Sequence, residues 1–137
     1  MSPELDKQIC ERFPKICINR SKGPRESCFH WGFQHSDGWR DLVDNLCGFI
    51  QRHIDSCAKW GKPIEQVVFS TVKEKYGVLR IYYDGGDDVI RGAVDFAEFL
   101  SGTICEECGS TEEVKQTKGY IQTLCKKHRI KKKFEID

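Results

Sequence analysis

Val67-Val-Phe-Ser-Thr-Val-Lys-Glu-Lys75, then Tyr76-Gly77, then Val78-Leu-Arg-Ile-Tyr-Tyr-Asp84 is the stretch on which the fold turns. Both arms are rich in β-branched and aromatic residues, which fit a pleated, half-buried surface. Lys75-Tyr76-Gly77 is a tight reversal. The reading is an antiparallel hairpin over residues 66–84.

Helical patterns flank it. Upstream, Ser2-Pro3 opens a short helix over 3–12, with Leu5, Ile9 and Phe13 on one face. Residues 18–36 show no period and contain Gly23-Pro24 and Gly32. They read as a loop, and a loop this long is more often functional or metal-tied than idle. Asp37 is expected to cap the longest helix, ending near Lys59. Its stripe is Leu42, Val43, Leu46, Cys47, Ile50, Ile54 and Cys57. Gly61 and Pro63 stop it. Downstream, Asp87 or Asp88 caps a third helix carrying Ile90, Ala93, Val94, Ala97 and Leu100, ending near Gly102. Helix, loop, helix, hairpin, helix predicts an α+β core of residues 1–102, with the helices packed on a small antiparallel sheet.

Residues 103–137 read as a separate module. Cys105-Glu-Glu-Cys108-Gly109 is a C-x2-C clip, and Cys125-Lys-Lys-His128 is a C-x2-H clip. Sixteen residues lie between them, a spacing suited to two halves of one tetrahedral zinc site. Val114–Thr117 and Tyr120–Leu124 read as short strands around Lys118-Gly119. Cys105, Cys108, Cys125 and His128 are therefore the expected ligands of one structural Zn2+. With all four positions taken by protein, no place remains for an activating water. A helix starting near Cys125 would make the module treble-clef-like; its absence would make it a zinc ribbon.

Composition bounds the function. Eight cysteines in 137 residues, several with places in metal clips or on a helix face, fit a reducing cytoplasm better than a disulfide frame. No leader and no long apolar run are visible, so a soluble, cytoplasmic chain without a membrane partner is expected. Charge is split along the sequence. Residues 84–113 carry nine acids against Arg91 alone, and residues 114–137 carry eight bases against two acids.

Several stretches together are familiar. They are Arg12-Phe-Pro-Lys-Ile16, Glu26-Ser-Cys28 running to Trp31-Gly-Phe33, Asp37-Gly-Trp39, Val72 to Asp84, Cys105-Glu-Glu-Cys-Gly109 and Gly119-Tyr-Ile-Gln-Thr-Leu-Cys125. Together they resemble a family of small proteins of tailed bacteriophages and prophages with a C-terminal zinc-ribbon-like module, and the resemblance spans most of the chain. The resemblance implies an accessory protein of the host-takeover or anti-defence kind, acting by binding in the bacterial host cytoplasm. Members often carry Cys-x-Cys where this chain has Cys28-Phe-His30.

Other constellations are weaker. Cys28, His30 and His35 are candidates for a second metal, with Cys10, Cys17 or Cys47 as a fourth ligand. No nucleophile–base arrangement is legible, and Gly85-Gly86 lacks the following Lys-Ser/Thr of a phosphate loop. Arg80 and Tyr82 share a strand face and could stack a base. The leading expectation is a non-catalytic, zinc-stabilised phage accessory protein that binds and inhibits a host protein or ribonucleoprotein, in the manner of an anti-CRISPR. Asp87, Asp88, Asp95, Glu98, Glu106 and Glu107 are its expected contacts, a field attractive to basic surfaces. The alternative is a nucleic-acid-binding regulator using the basic zinc module and tail.

Overall fold

The computed structural model describes residues 1–136, with side chains through Lys131. The side chains of Lys132 and Lys133, part of the basic tail, lie outside those described. The chain is α+β. Helix α1 spans Pro3–Arg12, α2 Arg40–Lys59, α3 Asp88–Ser101 and α4 Lys126–Ile136. Strands β2 (Val68–Lys75) and β3 (Val78–Asp84) form the expected hairpin, turning at Tyr76 and Gly77, both with positive φ.

The sheet is mixed, not purely antiparallel. Phe33–Gln34 forms a two-residue strand, β1, that pairs parallel to β2 at Val72 and Lys73. It lies inside the segment expected to be loop, and two residues are too few to show a period. A register shift between Phe69 and Thr71 also breaks the alternation of β2. The bulge turns both Phe69 and Val72 to the core, three positions apart. In β3 the alternation is clean: Leu79 and Ile81 are buried, Arg80 and Tyr82 exposed. The free edge of β3 is covered by α3. The Ser101 hydroxyl accepts the Leu79 N–H at 2.9 Å, and the Glu98 carboxylate accepts the Ile81 N–H at 2.9 Å. Side chains thus satisfy ladder donors that would otherwise invite another strand.

Asp87 caps α3 as expected, accepting the Ile90 N–H at 3.1 Å. Asp37 does not cap α2. A 3-10 turn over Asp37–Trp39 precedes that helix, and the Asp37 carboxylate accepts the Ser2 N–H at 2.7 Å instead. The buried faces of α1, α2, α3 and the sheet form one core, in which Phe29, Phe33 and Phe69 meet edge-on at 5.4–6.4 Å between centroids. A second, small cluster joins Cys105, Leu124 and Cys125, with Val114 against it. Here Lys115–Gln116 (β4) pairs with Thr123–Leu124 (β5), and α4 follows directly. Among the described residues no helix is long and apolar enough to cross a membrane.

Candidate metal centre

Cys105, Cys108, Cys125 and His128 converge, their ligating atoms all within 4.8 Å of one another. The first pair sits on a knuckle closed by the Gly109 N–H on the Cys105 carbonyl (2.8 Å) and the Cys105 N–H on the Ser110 carbonyl (2.8 Å). Gly109 has φ +79° and lies against the Gly38 backbone, so a side chain there would be both strained and crowded. The second pair brackets the start of α4: Cys125 immediately precedes it and His128 lies in its first turn. Cys105 Sγ lies 3.6 Å from His128 Nδ1, Cys108 Sγ 3.8 Å from Cys125 Sγ, and Cys125 Sγ 3.2 Å from His128 Nδ1.

The electrostatics favour a thiolate at Cys125. Burial opposes its ionisation, but the His128 N–H and imidazole, with the Cys105 and Cys108 side chains, outweigh burial and bring the thiol down to about 6. At Cys108 the Ser110 N–H favours ionisation, while desolvation and the Cys105 and Cys125 thiols push the thiol up.

The knuckle is fastened to the core. Glu106 accepts the Ser36 N–H at 3.0 Å, its carbonyl accepts the Gly38 N–H at 2.7 Å, and the Trp39 indole N–H reaches the Ile104 carbonyl at 2.9 Å. Glu106 is only 5 % exposed, and burial raises its carboxyl above the usual range. It is a structural strut and not a free surface acid. Glu98 is likewise tied to the edge of β3, and Asp87 to His53 and the start of α3. Asp88, Asp95 and Glu107 are exposed.

The structure does not bring Cys28, His30 and His35 together. Cys28 is exposed; His30 Nδ1 pairs with the Lys22 carbonyl at 2.8 Å; His35 is buried, with Nδ1 on the Ser36 carbonyl at 2.8 Å. The loop is held by Asp6 instead of a metal. The Asp6 carboxylate takes the Arg20 Nε–H at 3.0 Å and the Phe33 N–H at 3.1 Å, and Arg20 also donates to the His30 carbonyl. Cys10, Cys17 and Cys47 do not complete such a site: the groups of ligating side chains that converge among the described residues contain none of the three.

A group that sequence reasoning missed does converge. His53 Nε2 lies 2.8 Å from Asp87 Oδ2 and 3.6 Å from Cys57 Sγ. The four-residue spacing of His53 and Cys57 was in the sequence. Asp87 joins them only through the packing of α3 on α2. None of the family models, curated proteins or solved structures compared with the chain matches it.

Proposed function

We propose that the four-ligand cluster holds one structural Zn2+ and that the protein acts by binding a macromolecular partner, not by catalysis. Thiolate and imidazole ligands at about 2.3 and 2.0–2.1 Å around tetrahedral zinc give S–S edges of about 3.8 Å and S–N edges of about 3.6 Å. The 3.8 Å between Cys108 and Cys125 and the 3.6 Å between Cys105 and His128 agree with those edges, and the 3.2 Å between Cys125 and His128 must open by about 0.4 Å as the ion enters. The order of knuckle, short hairpin and helix supports a treble-clef-like module over a ribbon. With three cysteines and a histidine filling the tetrahedron, this ion lacks the open position that zinc hydrolysis uses.

The binding reading is carried by one observation, an apolar groove between α2 and α3. Leu42, Leu46, Phe49, Val89, Ala93 and Phe96 line it, and Phe96 is 60 % exposed. Exposed aromatics concentrated on one face mark interaction surfaces more often than solvated ones. Asp88 and Asp95, both exposed, stand on the same helix. The occupant that fits is a protein surface with apolar residues ringed by bases, such as a surface that holds nucleic acid. That partner, and the resemblance to phage accessory proteins, point to inhibition of a host protein or ribonucleoprotein in the bacterial cytoplasm. The nucleic-acid reading is weaker. Arg129 of the basic module is committed to the Glu113 and Leu124 carbonyls, which leaves Lys115, Lys118, Lys126, Lys127 and Lys131 as its exposed lysines among the described side chains.

Capture from nuclease-treated bacterial lysate, compared between the wild type and Phe96→Ala, tests the reading. A specific protein retained by the wild type and lost from the variant supports it. Binding of nucleic acid alone, with affinity falling about one log unit per log unit of salt for each phosphate contacted, favours the basic module.

A further inference from the structure

We propose that His53, Cys57 and Asp87 form a second metal site, for one borderline divalent cation of the zinc type, with the remaining coordination position left to water. The three ligating atoms lie within 4.8 Å of one another. His53 and Cys57 stand one turn apart on α2, so both side chains share a face. Asp87 arrives from the start of α3 with its two oxygens divided. Oδ1 holds the Ile90 N–H at 3.1 Å, and Oδ2 turns to the histidine. The cap can therefore persist while Oδ2 serves as a ligand. The Phe49 ring lies parallel to the imidazole, 3° between planes and 6.3 Å between centroids. All three ligands are half-buried, which holds them in place yet leaves them open to an ion from solvent.

The donor set selects the ion. One imidazole, one thiolate and one carboxylate suit zinc and its borderline neighbours, whereas Ca2+ and Mg2+ want oxygen alone. The 3.6 Å between His53 Nε2 and Cys57 Sγ equals the S–N edge of tetrahedral zinc, about 3.6 Å. The 2.8 Å between Nε2 and Asp87 Oδ2 is a hydrogen-bond length. A nitrogen–oxygen edge around zinc is about 3.3 Å, so the carboxylate must move by about 0.5 Å as the ion enters. The ion takes the place of the Nε2 proton, which the neutral imidazole then carries at Nδ1, and Cys57 binds as the thiolate, so binding releases the thiol proton to solvent. This site shares no ligand with the first. An ion here ties the second half of α2 to the start of α3, beside the groove that Phe49 and Val89 line.

The test uses the whole chain, purified with reductant and equilibrated with micromolar free Zn2+, and counts bound metal. The wild type is expected to hold two equivalents, and His53→Gln one. Asp87→Asn is also expected to hold one. Asparagine still caps a helix, so that variant separates loss of the ligand from loss of α3. Cys57→Ser is expected to weaken the second equivalent by about tenfold or more, since even outer-sphere changes cost that much. Circular dichroism checks that each variant is folded. A single equivalent in the wild type overturns the proposal, as does a second equivalent that survives in all three variants. The Cys105→Ser/Cys108→Ser protein reports on the first site alone, so the two assignments fail separately.

Discussion

The Gly38 N–H donates to the Glu106 carbonyl at 2.7 Å, and a Cβ on Gly38 would lie 2.2 Å from the Cys105 carbonyl oxygen. The turn before α2 and the metal knuckle thus touch backbone to backbone. Only glycine fits between them, and the reason is contact, not conformation. Gly38→Ala is expected to push the two apart, lowering stability by about 1–3 kcal/mol and weakening zinc measurably. Thermal unfolding with and without metal reads both. An alanine protein with unchanged melting and zinc affinity would show that the knuckle does not depend on this contact.

The Cys105→Ser/Cys108→Ser protein is expected to lose the metal equivalent held by the C-terminal module. A strong chelator acting on the wild type should do the same. Structural zinc contributes on the order of 10 kcal/mol in isolated zinc-finger modules, so the 105–128 region should open first. Amide exchange is the readout: protection in β4, β5 and α4 falls while β2 and β3 keep theirs. Equal loss of protection in both regions would mean that the module and the core are one cooperative unit.

The hairpin and α1–α3 were legible because each carries a long period or a clear cap: the β-branched arms, the stripe from Val43 to Ile54, Asp87 before Ile90. The convergence of the four clip residues was legible because two such clips declare both a ligand type and a spacing. β1 was not, since Phe33 and Gln34 are too few to show alternation. The role of Glu106 was hidden for a related reason. Its charge reads as surface, but its carboxylate serves Ser36, seventy positions away. The loop of residues 18–36 offered Cys28, His30 and His35 only as candidates for a metal. Asp6 on α1 holds the loop with two hydrogen bonds that no local pattern announces.

Asp6 is therefore expected to be costly to replace. It is 6 % exposed and serves Arg20 and the Phe33 N–H at once. Asp6→Ala leaves a guanidinium and a backbone donor without their acceptor, a change worth about 3 kcal/mol. Denaturant unfolding measures it, and the loop should become the first segment cut by a protease. A loss below about 0.5 kcal/mol would mean that the phenylalanine cluster holds the loop alone.

His35 sets a pH dependence. Burial, its largest influence, lowers the imidazole from 6.5 to about 4 in the folded chain, despite the Ser36 hydrogen bond that favours the charge. The unfolded chain binds this proton at higher pH than the folded one. Its contribution is fully present above pH 6.5 and is lost as pH falls from there toward 4. The slope approaches about 1.4 kcal/mol per pH unit, or about 3 kcal/mol over the window. Protonation of metal ligands acts in the same direction, so the informative quantity is a difference. The stability of His35→Phe, measured from pH 7 to pH 4, should fall less steeply than that of the wild type. Parallel curves would assign the acid sensitivity to the metal site.

The groove between α2 and α3 yields the last prediction. Expectation from charge alone placed the contacts at six acids, of which Glu98 and Glu106 serve the fold and Asp87 caps α3. Reversing any of those three would confound binding with stability. Asp88 and Asp95 are exposed and stand on α3, the helix that carries Phe96. Rim charges of this kind govern encounter, and a buried aromatic anchor governs residence. Asp88→Lys with Asp95→Lys should slow association with the partner and flatten its salt dependence. Phe96→Ala should leave association nearly unchanged and speed dissociation, costing about 2 kcal/mol. Surface plasmon resonance at two salt concentrations separates the two effects. If both variants bind as the wild type does, while neutralising Lys126, Lys127 and Lys131 abolishes binding, the partner sits on α4 and the groove is not the interface.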